Sequence, residues 1–351
     1  MTKKLLLLLS LLMVVLLAYA FIIEPKYSSD SKPVIKKVTT ANQTDFETGD
    51  KIIKELQEKH GDLLYNEFMD KEDFGNETEL DEKSLSRLQE FTDSEDSKII
   101  DALEYPEEPI ESEPVIKEKS VISFRIHKDQ LKKVKASRDD EFSSFIKNTK
   151  LQNELWQRFA HLVPVENREM IKRFKVMTDG ADNTLGYVQQ MYDENYWELA
   201  LDYKDAENLK DLYATLIHEF GHLFSLNSSE YTKNKDCSTD KLLDVCYKQN
   251  TYIYDFYQQF WQDDLIDEWP GTSASEDELI DFYDAHFDEF VSDYATTDVI
   301  EDFAESWMYF ILIKKPKSKE IADDKILFFY QYPELVQLRN TLLKNLSEHY
   351  K

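Results

Sequence analysis

The chain has 351 residues, 42% of them hydrophobic and 13% aromatic, enough for two ordinary domains or one domain with a long extension. Its 70 acidic and 42 basic residues leave a net charge of −28, which argues against nucleic acid and anionic lipid as partners because phosphate binding needs clustered Lys and Arg. Glycine occurs only 7 times, which argues against glycine-rich phosphate-binding folds.

Lys3 and Lys4 precede an apolar run from Leu5 to Ile23, broken only by Ser10, and Ala18-Tyr19-Ala20 offers a small-x-small cleavage pattern. Residues 1–23 are therefore expected to be a signal peptide or an uncut anchor, the only membrane contact expected. In either case the rest of the chain is expected outside the cytoplasm, secreted or membrane-anchored. Residues 24–118 are polar and acidic and read as a partly ordered stalk or accessory region. Within them, Ile52, Ile53, Leu56, Leu63 and Leu64 suggest one amphipathic helix, and Leu85 to Leu103 a second. Tyr105 to Pro114, with three prolines, reads as a stiff charged linker.

Residues 119–351 are expected to form one α+β domain. Val121 to Ile126 alternates like a strand, and Phe142 to Leu162 has helical spacing. Phe174 to Met177, Leu185 to Gln190 and Trp197 to Tyr203 read as three further strands. A long helix follows, from roughly Glu207 to Phe224, and then a mostly helical remainder. Cys237 and Cys246 are the only cysteines, and their close spacing in an oxidising compartment predicts a local disulfide.

The chemistry lies in His218-Glu219-Phe220-Gly221-His222. Two histidines four apart on a helix stand one turn apart on one face, so both imidazoles can reach one metal ion. The apolar stripe Leu209, Leu212, Leu216, Phe220 and Leu223 puts them at the edge of the buried face, where a cleft can open. Glu219 is the natural general base for a zinc-bound water. Zinc catalytic sites add a third protein ligand. Ser225 and Ser228 stand where a metzincin has glycine and histidine, which leaves a downstream carboxylate.

Asp298 can cap a helix running to about Ile313, on which Glu301 and Glu305 share a face. One of them can bind zinc while the other orients a histidine, or Glu301 can merely complete a capping box with Asp298. Asp293, His286 and Glu230 are competing ligands. His60, His127, His161 and His349 have no partner at metal spacing. The tyrosines and phenylalanines of 252–310 read as core, Tyr294 excepted.

The His-Glu-Phe-Gly-His helix and the downstream Tyr294, Glu301, Phe303, Ala304 and Glu305 resemble the lethal-factor-like metallopeptidases, a gluzincin group with a Tyr-x(6)-Glu-x-Phe-Ala-Glu segment. The resemblance covers about 35 residues and implies a zincin-like fold with Zn2+ held by His218, His222 and Glu301. It also implies that Glu305 supports a ligand from behind and that Tyr294 donates to the developing oxyanion. The stretch from Asn227 to about Glu276 is expected to be an insertion near the cleft. The implied activity is hydrolysis of a peptide bond in a protein or peptide, which would pair with an edge strand at 185–190 or 197–203. The alternative is an inactive zincin-like protein that binds or regulates a partner at the cell surface.

Overall fold

A computed structural model describes residues 43–60, 118–180, 184–228, 231–232, 241–242, 245–262 and 264–350. The expected leader at 1–23, the second amphipathic helix, the linker, Glu230 and Cys237 lie outside these residues. Among the described residues no helix is long and apolar enough to cross a membrane.

A five-stranded mixed sheet forms one side of the domain. Its strands are β1 (Lys119–His127), β2 (Gln130–Ala136), β3 (Ile171–Thr178), β4 (Gly186–Gln190) and β5 (Trp197–Asp202). They lie in the order β2-β1-β3-β5-β4, with only β3 and β5 parallel. β4 is therefore the edge strand beside the helices, and Trp197–Asp202 lies inside the sheet. The alternation of β1 is what the sheet requires: Val121, Phe124 and Ile126 are buried while Arg125 and His127 are exposed. Lys128 and Asp129 form the two-residue turn into β2, both with positive φ, as a tight hairpin demands. The strained pair is held from outside. Asp129 receives two bonds from Arg168, at 2.7 and 3.2 Å, and its carbonyl accepts from Trp156 Nε1 at 3.2 Å.

Among the described residues the helices of eight or more residues are α1 (Gln43–His60), α2 (Thr149–Leu162), α3 (Leu209–Ser225), α4 (Tyr252–Phe260), α5 (Glu276–Ala285), α6 (Val299–Leu312), α7 (Ile321–Phe328) and α8 (Pro333–His349). The helix expected over 142–162 is broken at Asn148, whose side chain leaves one short helix and caps α2 by accepting from Leu151 N–H. Asn208 caps α3 in the same way. Trp307 of α6 centres an aromatic cluster with Phe224, Phe310 and Phe329 at 4.9, 5.4 and 5.6 Å.

Part of the expected insertion is core. Ile253 and Phe256 of α4 are fully buried, and Phe256 packs on Phe303 and Phe328 at 5.4 and 5.3 Å. The remainder includes a small antiparallel sheet of Tyr231–Thr232, Val245–Tyr247 and Lys241–Leu242. Cys246, on its central strand, is disulfide-bonded.

Candidate metal centre

Helices α3 and α6 cross at close range because Gly221 lets them. A Cβ at Gly221 would stand 2.9 Å from Trp307 Cδ1 and 3.2 Å from Ala304 Cα, tighter than side chains normally tolerate. The crossing brings the histidine face of α3 onto the Glu301–Glu305 face of α6. The start of α6 is fixed by Asp298, whose Oδ1 accepts from Ile300 N–H at 2.7 Å and Glu301 N–H at 3.0 Å. Glu301 therefore sits in the first turn, yet its side chain leaves the cap and turns to the histidines.

His218 Nε2 lies 3.1 Å from His222 Nε2 and 3.1 Å from Glu301 Oε2, and His222 Nε2 lies 3.3 Å from the same oxygen. Tetrahedral zinc with ligand bonds near 2.0–2.2 Å has ligand-to-ligand edges of about 3.3–3.6 Å. Two imidazole nitrogens and one carboxylate oxygen at this spacing fit such an ion, and they leave a fourth position open. Glu219 also offers an oxygen within 4.8 Å of both histidines, but its Oε2 already accepts from Val188 N–H of β4 at 2.7 Å. That bond draws it toward the sheet edge, away from the Glu301 oxygen that closes the triangle with the two histidines.

Behind the donors runs a second layer. His218 Nδ1 donates to Glu305 Oε1 at 2.7 Å, which fixes the ring and turns Nε2 toward the centre. Ser292 Oγ donates to Glu305 Oε2 at 2.6 Å and accepts from Ala295 N–H at 3.3 Å. Ser292 has no counterpart in the sequence reading. A lone serine before a turn carries no periodic or spacing signal.

The electrostatics follow from burial and crowding. Burial disfavours the charged His218 ring, but its hydrogen bonds to Glu301 and Glu305 outweigh that and raise its pKa to about 10. Burial pushes the Glu219 carboxyl up, against the pull of His222 and His218. Burial acts the same way on Glu301, yet the two histidines more than reverse it and hold that carboxyl well below the usual range. Tyr294, in a short turn over 294–296, is half-exposed with its ring 5.9 Å from that of His218. Partial burial, then Glu301, Glu219 and Glu305, push its phenol up, so it stays protonated.

The structure thus brings together His218, Glu219, His222, Tyr294, Glu301 and Glu305. It directs His286 and Asp293 elsewhere. His286 bonds Glu289 at 2.8 Å and Glu268 at 3.1 Å, and Asp293 accepts from Tyr294 N–H at 2.8 Å. His161 and His349 stack on each other at 4.2 Å. In a second acidic group, Asp179, Asp202 and Asp205, Asp202 accepts from Asp179 N–H and Lys204 N–H. No protein-family profile, no curated protein and no solved structure matches this chain.

Proposed function

We propose that the chain is a zinc metallopeptidase of the gluzincin type, with a zincin-like fold, that hydrolyses peptide bonds in a protein or peptide outside the cytoplasm. The observation that carries this reading is the triangle of His218 Nε2, His222 Nε2 and Glu301 Oε2, with sides of 3.1, 3.1 and 3.3 Å, beside the buried Glu219. His218, His222 and Glu301 would hold the ion. Zinc, when bound, lowers the pKa of a water to about 7 and polarises a carbonyl.

The chain's own residues supply the rest. Glu219 would take the proton of the attacking water and pass it to the leaving amine. Burial shifts its carboxyl upward, the direction that favours taking up a proton. Val188 N–H holds the carboxylate in position, so the base is anchored to β4. That strand is also the edge along which an extended peptide would pair. Tyr294 would donate its proton to the oxyanion of the tetrahedral intermediate. The rival reading of an inactive binding protein is disfavoured, because a base and a donor are both retained beside the ligands.

The test is zinc content of the purified full chain together with cleavage of a quenched peptide library. About one zinc per chain is expected, along with chelator-sensitive cleavage. Glu219→Gln is expected to keep the zinc while kcat falls roughly 10²–10⁴-fold. A folded parent that takes up no zinc would overturn the reading.

A further inference from the structure

One edge of the sheet carries a charge opposite to that of the chain. Between Lys119 and Arg138 stand seven Lys or Arg and a single acidic residue, Asp129, in a chain of net charge −28. Strand register gathers five of the sheet's cations on one face, while Lys133 stands opposite the buried Phe124 on the other. Lys132 of β2, Arg125 of β1 and Arg173 of β3 form one cross-strand row, and Lys135, Ser123 and Lys175 the next. The β3 cations are answered, Arg173 by Glu198 at 3.6 Å and Lys175 by Glu118. Among the described residues no carboxylate answers Arg125, Lys132, Lys133 or Lys135, all of them exposed.

Like charges directly opposite in adjacent strands are destabilising, so folding gains nothing by setting Arg125 between Lys132 and Arg173. Lysines on an edge strand do deter unwanted pairing, which accounts for part of β2. It does not account for Arg125 on the inner strand. β2 is also an open edge, with no strand beyond it among the described residues.

We propose that this edge docks an extended acidic peptide, which adds alongside β2 and sets its carboxylates against Lys132, Lys135 and Arg125. The lysines repel an ordinary strand and admit an acidic one, so the same charges reject and select. The face already accepts one carboxylate, since Glu118 pairs with Lys175 and accepts from Tyr187 Oη at 2.9 Å. The chain's overall negative charge does not forbid docking, because at physiological salt fields decay over about 8 Å. The proposal does not depend on the metal centre, which lies by the opposite edge.

The experiment titrates the full chain, with chelator present, into a fluorescent ten-residue peptide of alternating Glu and Thr and follows anisotropy. Binding is expected that weakens with salt and falls at least tenfold in the Lys132→Glu/Lys135→Glu variant. Circular dichroism checks that variant's fold, and Lys132→Gln/Lys135→Gln should lie between. Backbone N-methylation of the probe should also abolish binding. Equal binding by parent and charge-reversed chain, or by the N-methylated probe, overturns the proposal. So does a parent that ignores the peptide but cross-links these lysines to its own residues 61–117, or binds anionic vesicles instead.

Discussion

At His218 two carboxylates act on one ring from different sides, Glu305 through Nδ1 and Glu301 through Nε2. Without metal they hold a proton there, so the folded pKa of about 10 exceeds the ordinary value of 6.5. A group whose pKa rises on folding adds stability that is complete below the unfolded value and is lost as pH climbs through the folded one. The metal-free protein is therefore expected to melt at progressively lower temperature from pH 7 to pH 10. Thermal melts in chelator check this, and a flat profile would contradict the assigned proton. Tyr294 makes a separate prediction. If its phenol serves the transition state alone, Tyr294→Phe lowers kcat by roughly 10²–10³-fold and leaves KM within a few-fold. Steady-state kinetics decide, and a change confined to KM would assign Tyr294 to substrate binding. The pairs His218 with His222 and Glu301 with Glu305 are legible because each repeats at helical spacing, whereas the choice of Glu301 and of Tyr294 rests on the resemblance. Ser292 and the Val188 N–H are not legible. Their roles arise only when distant segments meet, and a backbone N–H has no residue type to betray it.

The phase of helix α6 decides whether Glu301 reaches the histidines, and its neighbour Asp302 holds that phase. Asp302 is fully buried, with Oδ2 2.7 Å from Lys325 Nζ of α7 and accepting from Trp261 Nε1 at 2.7 Å. Ser306 Oγ donates to its other oxygen at 3.3 Å. Burial pushes Asp302 up and Lys325 down, each toward neutrality, and each opposes the other's shift. Removing one partner of such a pair leaves a buried charge uncompensated, at a cost of about 3–5 kcal/mol. Lys325→Met is accordingly expected to lower stability by that amount and to weaken zinc retention, although Lys325 touches no proposed ligand. Denaturant unfolding with metal analysis checks both, and an unchanged midpoint would remove the pair from the account. None of this could be read in advance, since Asp302 and Lys325 follow no shared period. Elements with their own period were readable: β1, β3, β4, β5, α3 and α6 lie within a few residues of expectation. β2 was missed because a lysine-rich edge strand hardly alternates, and its Lys128-Asp129 turn lacks the usual glycine. The 252–260 helix reads as part of an insertion because aromatic richness does not say which core it joins.

On the scale of the molecule, the expected boundary at residue 118 parts α1 from the body on which it packs. Arg339 of α8 is fully buried and donates to Phe310 O at 2.6 Å, Ile313 O at 2.7 Å and Asp50 of α1 at 3.1 Å. Gly49 is required beside it, for a Cβ there would fall 1.9 Å from Arg339 Nη1. Ile53 and Leu56 are fully buried, and Asn340 donates to Asp45 O at 2.9 Å. Burying each of those two side chains stabilises by about 1.5–3 kcal/mol, and a hydrogen bond to a charged group adds about 1.5–3. Sums of that size rival the whole stability of an ordinary domain, about 5–15 kcal/mol. The periodicity of Ile52, Ile53 and Leu56 announced an amphipathic helix, but not the surface that receives it. Two comparisons follow. Asp50→Ala is expected to cost about 1–3 kcal/mol through the unsatisfied guanidinium. A chain of residues 119–351 is expected to melt well below one of residues 43–351, and a synthetic peptide of residues 43–60 added in excess should raise its midpoint with concentration, as ligands of a native state do. If the shorter chain melts at the same temperature and ignores the peptide, α1 is an appendage, and the domain begins at β1 after all.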